Sequence, residues 1–170
     1  MAKLSSTLTS IFLLALGTLV LESCGEKAVF EKNAKIEDHT WSLNDTLSFI
    51  FNIIDTSQYY DINVNVRSGG LYEYSNIYLF LKIEAPNGSQ LEDKMQIILA
   101  DNMGKWYGKG LGDIKFLSSP YRSHVKFIMP GIYKLSMVHG MRTNELDHIF
   151  DMGIKVSIAD SLDTAKNNNQ

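Results

Sequence analysis

The chain has 170 residues, with 16 Lys and Arg against 19 Asp and Glu, a net charge of −3, 45% hydrophobic residues and one cysteine. A mildly negative chain without a block of Lys or Arg has no electrostatic footprint for nucleic acid, and a lone cysteine excludes a disulfide framework. The length suits one domain with a full hydrophobic core.

Lys3 opens the chain, an apolar run extends from Ile11 to Leu21, and Leu21-Glu22-Ser23-Cys24-Gly25 follows. A basic start, an apolar core and a small residue before a cysteine read as a bacterial lipoprotein signal peptide over residues 1–23. Cleavage before Cys24 leaves 147 residues at the same net charge, because the segment removed holds one base (Lys3) and one acid (Glu22). Glu22 is unusual where small apolar or hydroxyl residues are commoner. The apolar run is shorter than the ~20 residues a transmembrane helix needs. Membrane attachment is therefore expected through lipid on Cys24, as a triacyl anchor firmer than one acyl chain. An acylated Cys24 leaves no thiol for a metal site or for catalysis.

Residues 24–40 are polar and lack an apolar period, which predicts a flexible tether. Residues 41–158 read as the folded domain. Leu47, Phe49, Phe51 and Ile53 alternate with more polar neighbours, as do Tyr60, Ile62, Val64 and Val66. This period of two predicts strands with one buried face. Ile77 to Glu84 reads as a central strand, followed by a turn at Pro86-Asn87-Gly88. Further strands are predicted at Lys94 to Ala100, His124 to Ile128, Ile132 to Val138 and Met152 to Ile158, with a tight turn at Pro130-Gly131. Asn144 to Phe150 is the one place for a turn or two of helix. Short strands separated by turn residues predict an all-β fold, an antiparallel β-sandwich of Ig-like or jelly-roll-like type with little helix. Residues 159–170 are polar and read as a disordered tail.

Catalytic signatures are missing: no Gly-x-Ser-x-Gly, no His-Glu-x-x-His and no phosphate-binding Gly-x-x-x-x-Gly-Lys-Ser/Thr. The four histidines lack metal-ligand spacing. Neighbouring acids such as Glu92-Asp93 point to opposite faces of a strand and cannot share a substrate. Neither an enzyme nor a cofactor is expected, and no small-molecule substrate is indicated. The densest unusual segment is Gly104-Lys105-Trp106-Tyr107-Gly108-Lys109-Gly110-Leu111-Gly112-Asp113, with four glycines in nine positions. It reads either as an inter-sheet loop whose Trp106 plugs the open end of the sandwich, or as a recognition loop presenting aromatic rings and lysines. A second cluster, Tyr72-Glu73-Tyr74-Ser75-Asn76, either covers a strand end or contacts a ligand.

Tyr72-x-Tyr74-Ser75-Asn76, the block from Gly104 to Ile114, Pro130-Gly131-x-Tyr133 and Met141-Arg142 resemble, in order and spacing, the gliding-motility lipoprotein GldH family. A lipoprotein cysteine stands at the matching place, and the resemblance spans about Cys24 to Ile158. Glu73 and Tyr107 depart from the family pattern, where proline and leucine are expected. The resemblance implies a non-enzymatic part of the gliding apparatus of Bacteroidetes-type bacteria, tied to type IX secretion and to movement of surface adhesins. Such a protein would be held on the outer membrane by the lipid on Cys24, facing the periplasm, with other envelope proteins as partners. It brings no catalytic residue. Tyr72, Tyr74, Asn76, Trp106, Gly108, Gly110, Asp113 and Arg142 are then candidates for partner contact or for a structural loop.

The alternative is a glycan-binding outer-membrane lipoprotein using Trp106, Tyr107 and Tyr72 as a sugar platform. Asp45-Thr46-Leu47, Asp160-Ser161-Leu162 and Asp163-Thr164-Ala165 also resemble acceptors of periplasmic O-glycosylation.

Overall fold

A computed structural model describes residues 28–160. The expected signal peptide, Cys24 and residues 25–27 lie outside the described residues, as do residues 161–170 and the two glycosylation patterns that reach into them. The described chain forms strands β1 (Ala28–Lys35), β2 (Thr40–Ser42), β3 (Leu47–Ile53), β4 (Tyr60–Gly69), β5 (Asn76–Glu84), β6 (Gln90–Ile98), β7 (Ile114–Val125), β8 (Gly131–His139), β9 (Glu145–Asp147) and β10 (Ile149–Ile158), with a 3-10 turn at Glu37–His39.

Two four-stranded antiparallel sheets face each other, in the orders β1-β10-β4-β7 and β3-β8-β5-β6; β2 and β9 make a small third sheet. Of the two architectures left open by the sequence, this is the jelly roll, in which most successive strands cross from one sheet to the other. The period-two runs supply the core. Phe49, Phe51 and Ile53, then Tyr60, Ile62, Val64 and Val66, then Ile77, Leu79 and Leu81 are buried, and Leu135, Met137, Met152, Ile154 and Val156 meet them. Each such side chain contributes about 1.5–3 kcal/mol by leaving water.

The outer face of the β1-β10-β4-β7 sheet is polar and cross-linked. Ser118 donates to Asn65 Oδ1 at 2.8 Å, and the amide of the buried Asn65 reaches Glu31 and Asn33 of β1, each at 3.4 Å. Arg67 pairs with the buried carboxylate of Asp151. Gly153 lets the Asn33 side chain lie across the sheet, since a Cβ there would fall 1.8 Å from Asn33 Oδ1.

Three sequence expectations are corrected. Residues 28–40 of the expected tether are ordered: β1 pairs with β10 from Ala28 to Lys35. As an edge strand, β1 buries little, and its Glu and Lys residues blunt an exposed edge, so it carries no apolar alternation to read. The helix expected over Asn144 to Phe150 is instead β9, paired with β2, and the start of β10. A seven-residue helix has too few internal hydrogen bonds to outweigh its nucleation, and strand pairing wins. Finally, β7 runs from Ile114 to Val125, upstream of the strand expected at His124 to Ile128. Pro120 hid it. That proline sits on an edge strand, where no ladder donor is missed, and the β4–β7 register shifts beside it.

The registers define two ends. At the near end β1 begins, Ala159 N–H bonds to Tyr59 O at 2.9 Å, and the connections 54–59, 85–89 and 126–130 turn back. At the far end lie the connections 36–46, 70–75, 99–113 and 140–148.

Candidate functional site

Every candidate-site residue downstream of Cys24 lies at the far end, whereas Pro130-Gly131-x-Tyr133 lies at the near end. β5 starts there at Asn76, opposite Ile98 at the end of β6, and β7 starts there opposite Gly69. The topology thus gathers the tyrosine cluster, the glycine-rich block and Arg142 from three connections.

The glycine-rich block is an ordered two-turn loop. The Asp101 carboxylate accepts the backbone N–H groups of Met103 and Lys105, both at 2.9 Å, and Gly104 takes a positive φ of 79° to close the turn. Trp106 bridges back to Ala100, and Tyr107 N–H bonds to Leu99 O at 2.8 Å. Lys109 and Phe116 then exchange backbone bonds of 2.9 and 2.8 Å, forming a hairpin whose tip holds Gly112 at φ 59°. Inside it the backbone approaches too closely for a side chain: a Cβ on Gly110 would lie 2.0 Å from Ile114 O, and one on Gly108 3.0 Å from Phe116 O.

The candidate residues therefore divide. Tyr72 is buried, donating from its hydroxyl to Asn76 O at 3.1 Å, with its ring 5.6 Å from that of Tyr74 in an edge-on contact. Burial pushes its phenol well above the ordinary range, and the neighbouring Tyr74 adds to this. Trp106 is half-buried against the core. Asn76 is a strand residue, and Gly108 and Gly110 serve backbone packing. Tyr74, Tyr107, Asp113 and Arg142 are exposed.

The plug expected of Trp106 belongs to Trp41. It is 0% exposed, its indole donates to Asp45 O at 2.9 Å, and its ring meets buried His139 edge-on at 5.4 Å. Burial lowers the pKa of His139; the backbone carbonyls of Asn144 and Trp41 favour its protonated form, without cancelling the burial.

Sequence reasoning missed the most exposed apolar side chains of this end. Leu111 is 95% exposed and Met103 93%, with Leu71 also largely in water. Each stands beside a glycine in a loop, a signal that was legible but was overshadowed by the aromatic residues. Leu71 and the hairpin come together, since Gly70 lies against Asp113. A small cleft of about 140 Å3 separates Tyr72 and Tyr74 from Glu145 to His148.

A sugar platform of Trp106, Tyr107 and Tyr72 is not assembled: Tyr72 faces the core and Trp106 is half-covered. The histidines are dispersed. His39 lies edge-on to Phe150 at 4.2 Å, His124 stacks on Tyr59 at 4.1 Å, and His139 is buried under Trp41. Among the described residues, no group of three or more His, Cys, Asp or Glu side chains is placed to hold a metal ion, and no helix is long and apolar enough to cross a membrane. Of the glycosylation patterns, Asp45 and Thr46 are exposed at this end.

The chain is similar to a "gliding motility lipoprotein GldH homolog" of Christiangramia forsetii, 31% identical over 89% of this chain and 97% of that one. It is also similar to "gliding motility lipoprotein GldH" of Flavobacterium johnsoniae, 28% identical over 87% of this chain and 96% of that one. Among solved structures, the infectious bursal disease virus Gx strain aligns at 12% identity and TM-score 0.36, over 81% of this chain, which spans 31% of the viral one. A CBM35 from Cellvibrio japonicus Abf62 aligns at 10% identity and TM-score 0.31, over 81% of this chain and 94% of that one. Likenesses this remote carry no argument about function. The family profile described as GldH lipoprotein matches residues 28–156, from the first described strand almost to the end of β10. With the same span shared with relatives that are nearly covered end to end, the chain belongs to the GldH lipoprotein family.

Proposed function

We propose that this chain is a lipoprotein held on the periplasmic face of the outer membrane by the lipid on Cys24, and that it serves gliding motility as an accessory, non-enzymatic part. In this reading it acts by contact with other envelope proteins of the gliding and type IX secretion machinery that moves surface adhesins. Family membership and the export signal before Cys24 support the address. The observation that carries the mode of action is the far-end loop, where Met103 and Leu111 stand almost fully in water on a backbone fixed by Asp101 and by the Lys109–Phe116 pair. Exposed apolar tips on an ordered loop are what a protein partner covers, and binding residues concentrate on loops carried by rigid scaffolds.

Deletion of the gene tests the motility reading. Loss of surface spreading is expected, with normal growth; a deletion strain that spreads normally would overturn it. Complementation by Met103→Ser/Leu111→Ser tests the contact surface. The variant is expected at wild-type level in the membrane fraction, without restoring spreading. Full restoration would remove the loop from the contact surface while leaving the motility assignment in place.

A further inference from the structure

We infer that the near end of the jelly roll is itself a membrane-contacting surface, bedded in the headgroup layer of the bilayer that holds the Cys24 lipid. This rests on the lipidation of Cys24 proposed above.

Only Gly25, Glu26 and Lys27 separate Cys24 from Ala28, where β1 is already paired with β10. Four fully extended peptide steps reach about 14 Å. The headgroup layer of one leaflet accounts for roughly 5–8 Å of that. A domain tethered so closely cannot hold its near end away from the membrane, and the direction of β1 puts the far end roughly 26 Å further out.

The side chains at the near end match that position. Ile54 is 80% exposed and Ile128 82%, one in each of the connections 54–59 and 126–130, with Val29 and Ile132 exposed beside them. Ile53 pairs with Gly131 and Tyr60 with Val125, so the strand ends carrying these residues adjoin. Tyr59 is exposed between them, with the Lys126 ammonium 5.6 Å from its ring centre. Aliphatic tips, a tyrosine ring and an exposed lysine beside it are the set that an interface of acyl chain, glycerol and phosphate takes up. Ile128 also rims a cleft of about 490 Å3 lined by Ile83, Leu91, Phe127 and Tyr133, so the apolar surface continues inward.

The loops are fixed rather than adaptable. Asp55 accepts from Ser57 N–H at 2.8 Å and from Ser57 Oγ at 2.6 Å, Tyr60 donates to Asp55 O at 2.6 Å, and Tyr133 donates to Met129 O at 2.9 Å. The isoleucines are thus presented outward before any lipid is met, so contact orders little further backbone.

Three full-length variants, Ile54→Cys, Ile128→Cys and Leu111→Cys, are purified from membranes and labelled with nitrobenzoxadiazole. Intact mass then establishes whether Cys24 carries lipid. The proteins are placed in vesicles of phosphatidylethanolamine and phosphatidylglycerol containing a lipid with a nitroxide just below the glycerol. Fluorescence should be quenched at positions 54 and 128 and kept at 111. A lipidated protein that is unquenched at either near-end position, or quenched equally at 111, overturns the inference alone. A mass without lipid overturns the Cys24 reading, and the inference with it.

Discussion

The two ends of this jelly roll are made by the same eight strands, yet they are built differently. The near end closes with three short connections, each pinned by a hydrogen bond from a turn or strand residue to the loop backbone. The far end carries four connections, among them the 99–113 loop and the segment that forms β2. Two sheets about 10 Å apart can be bridged by a few residues; 70–75 is as short as the near-end turns, while the connections 36–46, 99–113 and 140–148 exceed that need and have their own internal structure. Their extra length forms a second layer, with Trp41, His139 and Leu146 buried beneath it and Met103 and Leu111 in water above. Length beyond what closure requires is where a sandwich can present a surface, while closure at minimum length leaves only the tips of its turns.

Substitutions that separate the two layers of the far end test this contrast. The largest effect is expected for Trp41→Ala. Removing a fully buried indole should cost about 3–5 kcal/mol, read as a fall in the urea midpoint, and it should loosen the far-end connections before the near-end turns. Hydrogen exchange resolves the order, and equal loosening of both ends would show that the far end is not a separate layer.

Gly110→Ala comes next, at about 1–3 kcal/mol, because a methyl group has no room beside Ile114 O. Protection should be lost at Lys109 and Phe116 while the near end is unchanged.

A smaller effect follows pH. Burial holds the pKa of His139 below its ordinary value, so the unfolded chain binds this proton first as pH falls. Stability is then complete above the unfolded pKa and declines as pH drops below about 6.5 toward the folded value. His139→Phe should flatten the Tm profile between about pH 7 and pH 5. A slope identical to wild type would mean that His139 is not the group responsible.

Leu111→Ser should be the smallest, within about 0.5 kcal/mol of wild type, because almost none of its side chain is covered. A loss well beyond that would place Leu111 in the scaffold rather than on the contact surface.

The core strands were legible because each buries one face: Leu47–Ile53 and the alternation from Tyr60 could be read from residue type alone. The edge strands were not. β1 shows Glu and Lys where a core strand shows Val or Ile, and β7 passes through Pro120; both exist because a neighbour offers its ladder, information their own residues do not contain. The candidate site was legible as a set of segments. Its division was not, since Tyr72 and Tyr107 are similar in sequence, and only their surroundings bury one and expose the other.

By itself, the sequence determined the all-β class, and its spaced glycines and tyrosines carried the resemblance to the family, because alternation and residue spacing are local patterns. The tertiary structure decided the jelly-roll order, the choice of Trp41 over Trp106 as the plug, and the fact that only three residues separate Cys24 from the start of β1. Those depend on which strands pair across the sheets, and pairing is a property of distant segments that no local pattern carries.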